Sequence, residues 1–135
     1  MPNQIPDSHK ELFEKPVIAS LATIMSNGQP QVNPVWCDCD GTYVRVNSSK
    51  GRVKDKNMRE RPQVTLLLIN PESVWHWIEV RGMVEEITEE GADAHIDALA
   101  QKYLGVDKFP YRRPDQVRVI YKIKPTRVNA VDRRR

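Results

Sequence analysis

The densest concentration of groups able to do chemistry is Asn47-Ser48-Ser49-Lys50-Gly51-Arg52-Val53-Lys54-Asp55-Lys56-Asn57-Met58-Arg59. Two hydroxyls and a glycine lead from a strand into a short helix, whose first N–H groups lack intrahelical partners and favour an anion. Arg52 and Lys54 fall in the first turn, where the helix dipole disfavours cations. A bound phosphate would reverse that penalty. Arginine offers a planar fork for two phosphate oxygens and lysine a point charge, so with Ser48 and Ser49 they describe a phosphate cradle. A polar surface helix is the competing reading of the same residues. The second cluster is Trp75-His76-Trp77, in which strand alternation puts both indoles on one face and His76 on the other. Turned inward, the indoles are core; turned outward, they form a stacking wall for a planar ring or for bases. His76 alone reads as a structural histidine.

Several chemistries lack their residues. His9, His76 and His95 lie far apart in the chain, and Cys37-x-Cys39 has neither the spacing nor the second ligand pair of a zinc site, so no metal is expected. The two thiols are also too close to close a useful loop, which suits a reducing cytoplasm. No nucleophile elbow, Walker loop or dinucleotide fingerprint is present, so in an enzyme of this sequence a bound cofactor must carry the difficult step. No catalytic acid or base stands out.

Charge is segregated along the chain. Residues 45–61 carry seven Lys and Arg against two acids, residues 79–97 seven acids against one Arg, and residues 102–135 eleven Lys and Arg against three acids. Two basic blocks in 135 residues point to an anionic ligand, either a nucleic acid or a phosphorylated or carboxylated small molecule. A nucleic-acid binder would need its aromatic and basic residues on one continuous face, whereas the indoles adjoin the acidic block. The terminal Arg133, Arg134 and Arg135 are expected to fray. No apolar run reaches the roughly 18 residues a membrane span needs, and the opening residues lack a secretory pattern.

The elements that must hold these residues are mostly strands. Asp7 to Glu14 offers a short helix burying Leu12 and Phe13, ended by Pro16. Val17 to Met25 is a nearly continuous apolar strand, and Asn27-Gly28 turns it into a return strand at residues 31–38. Pro34 there requires a ladder break or an edge position. Asp40-Gly41 makes a second turn before the alternating Thr42–Ser48. Gly51 to Arg61 is predicted to be an exposed helix, Gln63–Asn70 a buried strand, and Trp75–Thr88 a long strand bulged or bent at Gly82. Glu89 to Leu104 has helical spacing with Gly105 as its cap, and Val117–Ile123 is a last strand before Pro125. Six antiparallel strands with short helices make a small, mainly β single domain over residues 1–135 whose strands close into a barrel to remove their edges. A barrel this narrow is filled by its own side chains, so a ligand must sit on a rim or between subunits.

The succession V-I-A-S-L-A-T-I-M-S-N-G-Q-P-Q-V-N-P-V-W, a D-G turn, V-N-S-S-K-G-R-V-K-D-K-N-M-R-E-R-P-Q-V-T-L and W-I-E-V-R-G-M-V-E-E-I resembles the flavin- and deazaflavin-dependent oxidoreductases of the pyridoxamine 5′-phosphate oxidase class. It is most similar to the small F-420-dependent members, over Val17 to Val131. The resemblance implies an FMN-binding-type split β-barrel and a homodimer with two cofactor sites in grooves at its interface. It implies that Arg52 and Lys54 hold the cofactor phosphate, with Ser48 and Ser49 alongside and Lys50 and Asn57 as further contacts. It places Asn33, Pro34 and Val35 along the tricyclic ring and Trp77, with Trp75, against that ring from the other subunit. The implied activity is hydride transfer between reduced coenzyme F-420 and a small organic substrate. FMN is the alternative cofactor, in an oxidase or reductase of the pyridoxamine-phosphate type or in a binder without turnover. The basic residues after 102, Arg112, Arg113 and Arg118 among them, favour F-420, whose oligoglutamate tail needs a cationic path. Neither nucleic acid nor membrane is an expected partner.

Overall fold

The computed structural model describes residues 4–134. Seven strands form one antiparallel sheet in the order β2-β1-β5-β6-β7-β4-β3. They are β1 (Ala19–Ile24), β2 (Pro30–Val35), β3 (Cys37–Cys39), β4 (Val44–Ser49), β5 (Gln63–Ile69), β6 (His76–Thr88) and β7 (Arg118–Asp132). The helices are α1 (Glu11–Glu14), α2 (Val53–Glu60) and α3 (Ala92–Leu104).

The sheet curls because two of its strands are long. β6 is paired with β7 from His76 to Thr88, while β5 covers the first half of β6 and β4 the first half of β7. The bend falls at Gly82, where the β6–β7 register shifts and Gly82 faces Pro125. A Cβ at Gly82 would lie 2.6 Å from Ile123 Cγ2 and 2.7 Å from the Lys124 carbonyl, so the two strands approach too closely for any side chain. Inward-facing Leu21, Leu66, Leu68, Ile78, Val80, Val46, Val44, Tyr121 and Ile123 fill the interior, with Leu12, Phe13 and Val17 added from the N-terminal segment.

Four sequence expectations are corrected. The return strand is not continuous. Trp36 separates β2, which pairs with β1, from β3, which pairs with β4, giving seven strands instead of six. The last strand does not stop before Pro125, because proline opposite Gly82 occupies the bulge, where a ladder N–H is already missing. The N-terminal helix is a 3-10 turn, Asp7–His9, followed by the single turn of α1. The helix after β4 is not a purely exposed one: Asp55, Asn57 and Met58 are buried, and α2 packs against β1. Pro34 does lie on an edge strand, where its missing donor costs nothing.

One face of the sheet is left bare. Alternation turns Ile18, Val32, Pro34, Leu67, Ile69 and Trp77 outward on β1, β2, β5 and β6, and Ile18, Val32 and Ile69 are exposed.

Candidate functional site

The strand-to-helix junction keeps the geometry that the sequence suggested, with a division of labour among its residues. Arg52, extended in backbone, is the N-cap of α2, and Lys54 is its second residue. Asp55, buried on the inner side of the turn, accepts from the Gly51 N–H at 2.9 Å, from Tyr121 Oη at 2.5 Å and from Arg59 Nε at 3.0 Å. Burial opposes its charge, but these three donors outweigh that and hold the carboxyl below its usual range. Burial first, and then its bond to the Asp55 carboxylate, push the Tyr121 hydroxyl up. The turn is therefore clamped from inside, and its outer side is left to Arg52 and Lys54.

Their charge is uncompensated. The neighbouring cations Arg45, Arg59 and Arg112 are paired with Asp38, Asp55 and the Asp93–Asp97 pair respectively, whereas Arg52, Lys54 and Arg118 make no ion pair among the described residues. Burial, then Arg52 and Arg118, hold the Lys54 amine below the usual lysine range. Burial and then Arg52 depress Arg118 in the same way. Arg52 and Lys54 at the start of α2 and Arg118 at the start of β7 thus gather positive charge that could hold an anion.

Ser48 and Ser49 fall on opposite faces of β4. Ser49 accepts from Arg118 Nη1 at 3.0 Å, which joins it to the cation cluster. Ser48 shares the inner face with Val119, and its hydroxyl is a buried side-chain polar atom with no partner in the protein. A buried hydroxyl left unpaired is costly, so it signals a ligand or water at the junction.

The remaining predicted residues are placed as follows. Lys50 is exposed and lies 3.5 Å from Glu89. Asn57 is buried, and its amide donates to Thr23 Oγ1 at 3.0 Å and to Gln31 Oε1 at 3.5 Å, tying α2 to β1 and β2. On β2, Asn33 and Val35 face inward opposite Leu21 and Ala19, while Pro34 faces the bare outer surface. Trp77 lies half-buried on that same surface and Trp75 beside it is 59% exposed, so neither indole belongs to the core. His76 is wholly buried; one ring nitrogen is 2.8 Å from the Ser8 carbonyl and the other 3.1 Å from the Asn70 amide, a structural role. Cys37 is buried, its thiol pushed up to about 12 by desolvation, and Cys39 is half-buried.

Two expectations about the basic C-terminal third are revised. Arg112 does not hold a free charge: it stays exposed but lies 3.1 Å from Asp93 and 2.7 Å from Asp97. Arg134 does not fray but folds back on Asp132 at 2.8 Å and on Glu11 at 3.3 Å. Arg135 lies outside the described residues. Sequence reasoning missed an aromatic chain in which Trp36 stacks on Tyr103 at 5.2 Å and meets Phe109 edge-on at 6.0 Å, while Arg118 lies 5.1 Å over Phe109. The helical spacing of Tyr103 was legible; its partner across the sheet was not. Among the described residues no group of three His, Cys, Asp or Glu side chains is placed to hold a metal, and no helix is long and apolar enough to cross a membrane.

Comparison with known proteins gives this arrangement its class. The pyridoxamine 5′-phosphate oxidase family model matches residues 5–132. The fold is that family's split β-barrel, and the chain belongs to the pyridoxamine 5′-phosphate oxidase family. A solved F420 reductase is 31% identical, with a TM-score of 0.82 over 93% of this chain and 98% of its own. The conserved protein Rv2991 of Mycobacterium tuberculosis is 21% identical, with a TM-score of 0.74 over 99% of this chain and 89% of its own. General Stress Protein 26 of Bacillus anthracis, at 16% identity and a TM-score of 0.70 over 93% and 92% of the two chains, has the same fold. A search of curated protein sequences returns no match. At family level the protein is a flavin- or deazaflavin-related oxidoreductase.

Proposed function

We propose that the protein binds coenzyme F-420 in a groove between two copies of the chain and passes a hydride between the reduced cofactor and a small organic substrate. The observation that carries the reading is the trio Arg52, Lys54 and Arg118, none of them in an ion pair among the described residues, gathered where the start of α2 adjoins the start of β7, in a chain 31% identical to an F420 reductase. These residues fit a phosphate. FMN carries a phosphate too, and the choice of F-420 rests on that likeness and on the exposed Arg113, which is available to a polyanionic tail.

The bound cofactor supplies the hydride chemistry, and the chain supplies position. Arg52 and Lys54 take the phosphate on the α2 N-terminus. β2 offers the ring an edge strand from Asn33 to Val35, and Trp77 of the partner subunit closes the groove on the bare outer face. Half-buried Tyr103 and buried Tyr121 are committed to structural hydrogen bonds and are pushed up by burial, so neither is available as a proton donor near neutrality. The rate enhancement then comes from holding cofactor and substrate together, with binding and chemistry supplied by different partners.

The test is a fluorescence titration of the purified protein with F-420 and with FMN at low and high salt. F-420 is expected to bind more tightly and to lose more affinity with salt, since its exposed tail carboxylates are screened within roughly 8 Å at physiological ionic strength. Tighter FMN binding at both salt concentrations overturns the choice of cofactor.

A further inference from the structure

Arg118 is the one member of the cation trio that is almost fully buried, at 9% exposure, and it forms the floor of a cleft of about 390 Å³ lined also by Asp93, Arg112, Arg113 and Gln116. Burying a guanidinium without a carboxylate is expensive, so its retention needs a reason. Its Nε donates to Asn47 Oδ1 at 2.9 Å and its Nη1 to Ser49 Oγ at 3.0 Å. A guanidinium has five N–H donors, so these bonds leave three for a ligand.

The Asn47 side chain is fixed by partners that can each play one role only. A guanidinium donates and never accepts, so the amide oxygen must face Arg118. The amide nitrogen then donates to the Ala92 carbonyl at 2.9 Å and to His95 Nδ1 at 3.2 Å. His95 must therefore offer a lone pair at Nδ1 and carry its proton on Nε2, which donates to Asp38 Oδ2 at 3.1 Å. Arg45 anchors the far end, gripping both oxygens of Asp38 at 2.8 Å. Every donor and acceptor along the chain is matched, and the sequence runs from the β3 edge, beneath α3, to the cation cluster.

We propose that this buried chain, Asp38 to His95 to Asn47, holds Arg118 as an anion-binding residue of the phosphate cradle, with His95 and Asn47 as its positioning residues. The proposal rests on the cofactor reading above and adds to it the residues that aim the third cation. Because the chain meets the cation cluster only through Arg118, disturbing it weakens the part of cofactor affinity due to the phosphate and spares the part due to the ring.

The experiment measures dissociation constants of the full chain for FMN and F-420, and for riboflavin and the phosphate-free deazariboflavin. Arg118→Met is expected to weaken FMN and F-420 by about tenfold or more, the value of a charged hydrogen bond, and to leave the phosphate-free pair unchanged. His95→Phe, which keeps the ring's bulk and removes both hydrogen bonds, is expected to weaken the same two cofactors by about three- to tenfold, as for coupled neighbours in one network. His95→Gln should restore them, since its oxygen can accept from Asn47 and its nitrogen donate to Asp38. Thermal melting of each variant establishes that it is folded. The proposal is overturned if His95→Phe weakens riboflavin as much as FMN, or if it leaves both phosphorylated cofactors unchanged while Arg52→Ala weakens them. In that last case the cofactor reading survives. If the wild-type protein binds none of the four compounds, the cofactor reading itself fails.

Discussion

At the scale of single residues, the junction separates cations that build the turn from cations left without an acidic partner among the described residues. Arg59 belongs to the first group, bound to Asp55, and Arg52 and Lys54 to the second. Both long side chains leave the core untouched, so Arg52→Ala and Lys54→Ala should change folding stability by only about 0.5 kcal/mol. Each should weaken binding of a phosphorylated cofactor by about ten- to a hundredfold, measured by fluorescence titration. Equal affinity of wild type and the double variant would put the phosphate elsewhere. Asp55 gives the opposite outcome. Its folded value lies below its ordinary 3.8, so its ionised form contributes stability above that pH, and the contribution is lost as pH falls through the folded value. Asp55→Asn should therefore cost about 1–3 kcal/mol at pH 7, and the gap between variant and wild type in urea melts should shrink as pH falls below that of an ordinary carboxyl. A gap that does not depend on pH would mean that the three donors do not hold an anion.

At the scale of elements, what could be read in the sequence was whatever depends on local order. The Asn27-Gly28 and Asp40-Gly41 turns are where expected, with both glycines at positive φ of 87° and 95°. The bend at Gly82 and the capping Gly105 were equally visible, because glycine marks a backbone that no other residue fits. The break at Trp36 was not, since Val35-Trp36-Cys37 is an unbroken β sequence and only the change of partner from β1 to β4 divides it. In the site, Arg52 and Lys54 were legible as a motif. The other half was hidden because Arg118, Asn47, His95 and Asp38 come from four elements, and the acids that neutralise Arg112 sit on α3. The close approach at Gly82 predicts that Gly82→Ala pushes β6 and β7 apart, costing about 1–3 kcal/mol or more, with a matching fall in melting temperature. A neutral result would show that β7 can shift freely at Pro125. The C-terminal turn of α3 makes a second junction. Tyr103 Oη donates to the Val17 carbonyl at 2.7 Å and accepts from the Cys37 N–H at 3.1 Å. Tyr103→Phe leaves both backbone groups unpaired and should cost about 1–3 kcal/mol in chemical denaturation.

At the scale of the whole molecule, the bare face of β1, β2, β5 and β6 decides whether one chain is a complete unit. Ile18 is 49%, Val32 61% and Ile69 42% exposed, and all three lie on one surface with Pro34, Leu67 and Trp77. The proposed dimer would bury these apolar side chains, and an isologous pair of such faces closes without leaving an edge open to further growth. The proposed groove needs that second copy, because a single chain presents β2 to the ring on one side only. Ile18→Glu and Val32→Glu place charge on the face at positions already in water, so each chain should fold with a stability within about 0.5 kcal/mol of wild type. Two buried carboxylates per subunit in the pair would then oppose association strongly. Sedimentation at micromolar concentration is expected to give a dimer for the wild type and a monomer of 15.6 kDa for the double variant. Cofactor affinity should fall together with the dimer, although Arg52, Lys54 and Arg118 are all intact. A monomeric double variant that binds F-420 as tightly as the wild type would show that the ring needs no wall from a second subunit, and would confine the site to the junction of β4 and α2.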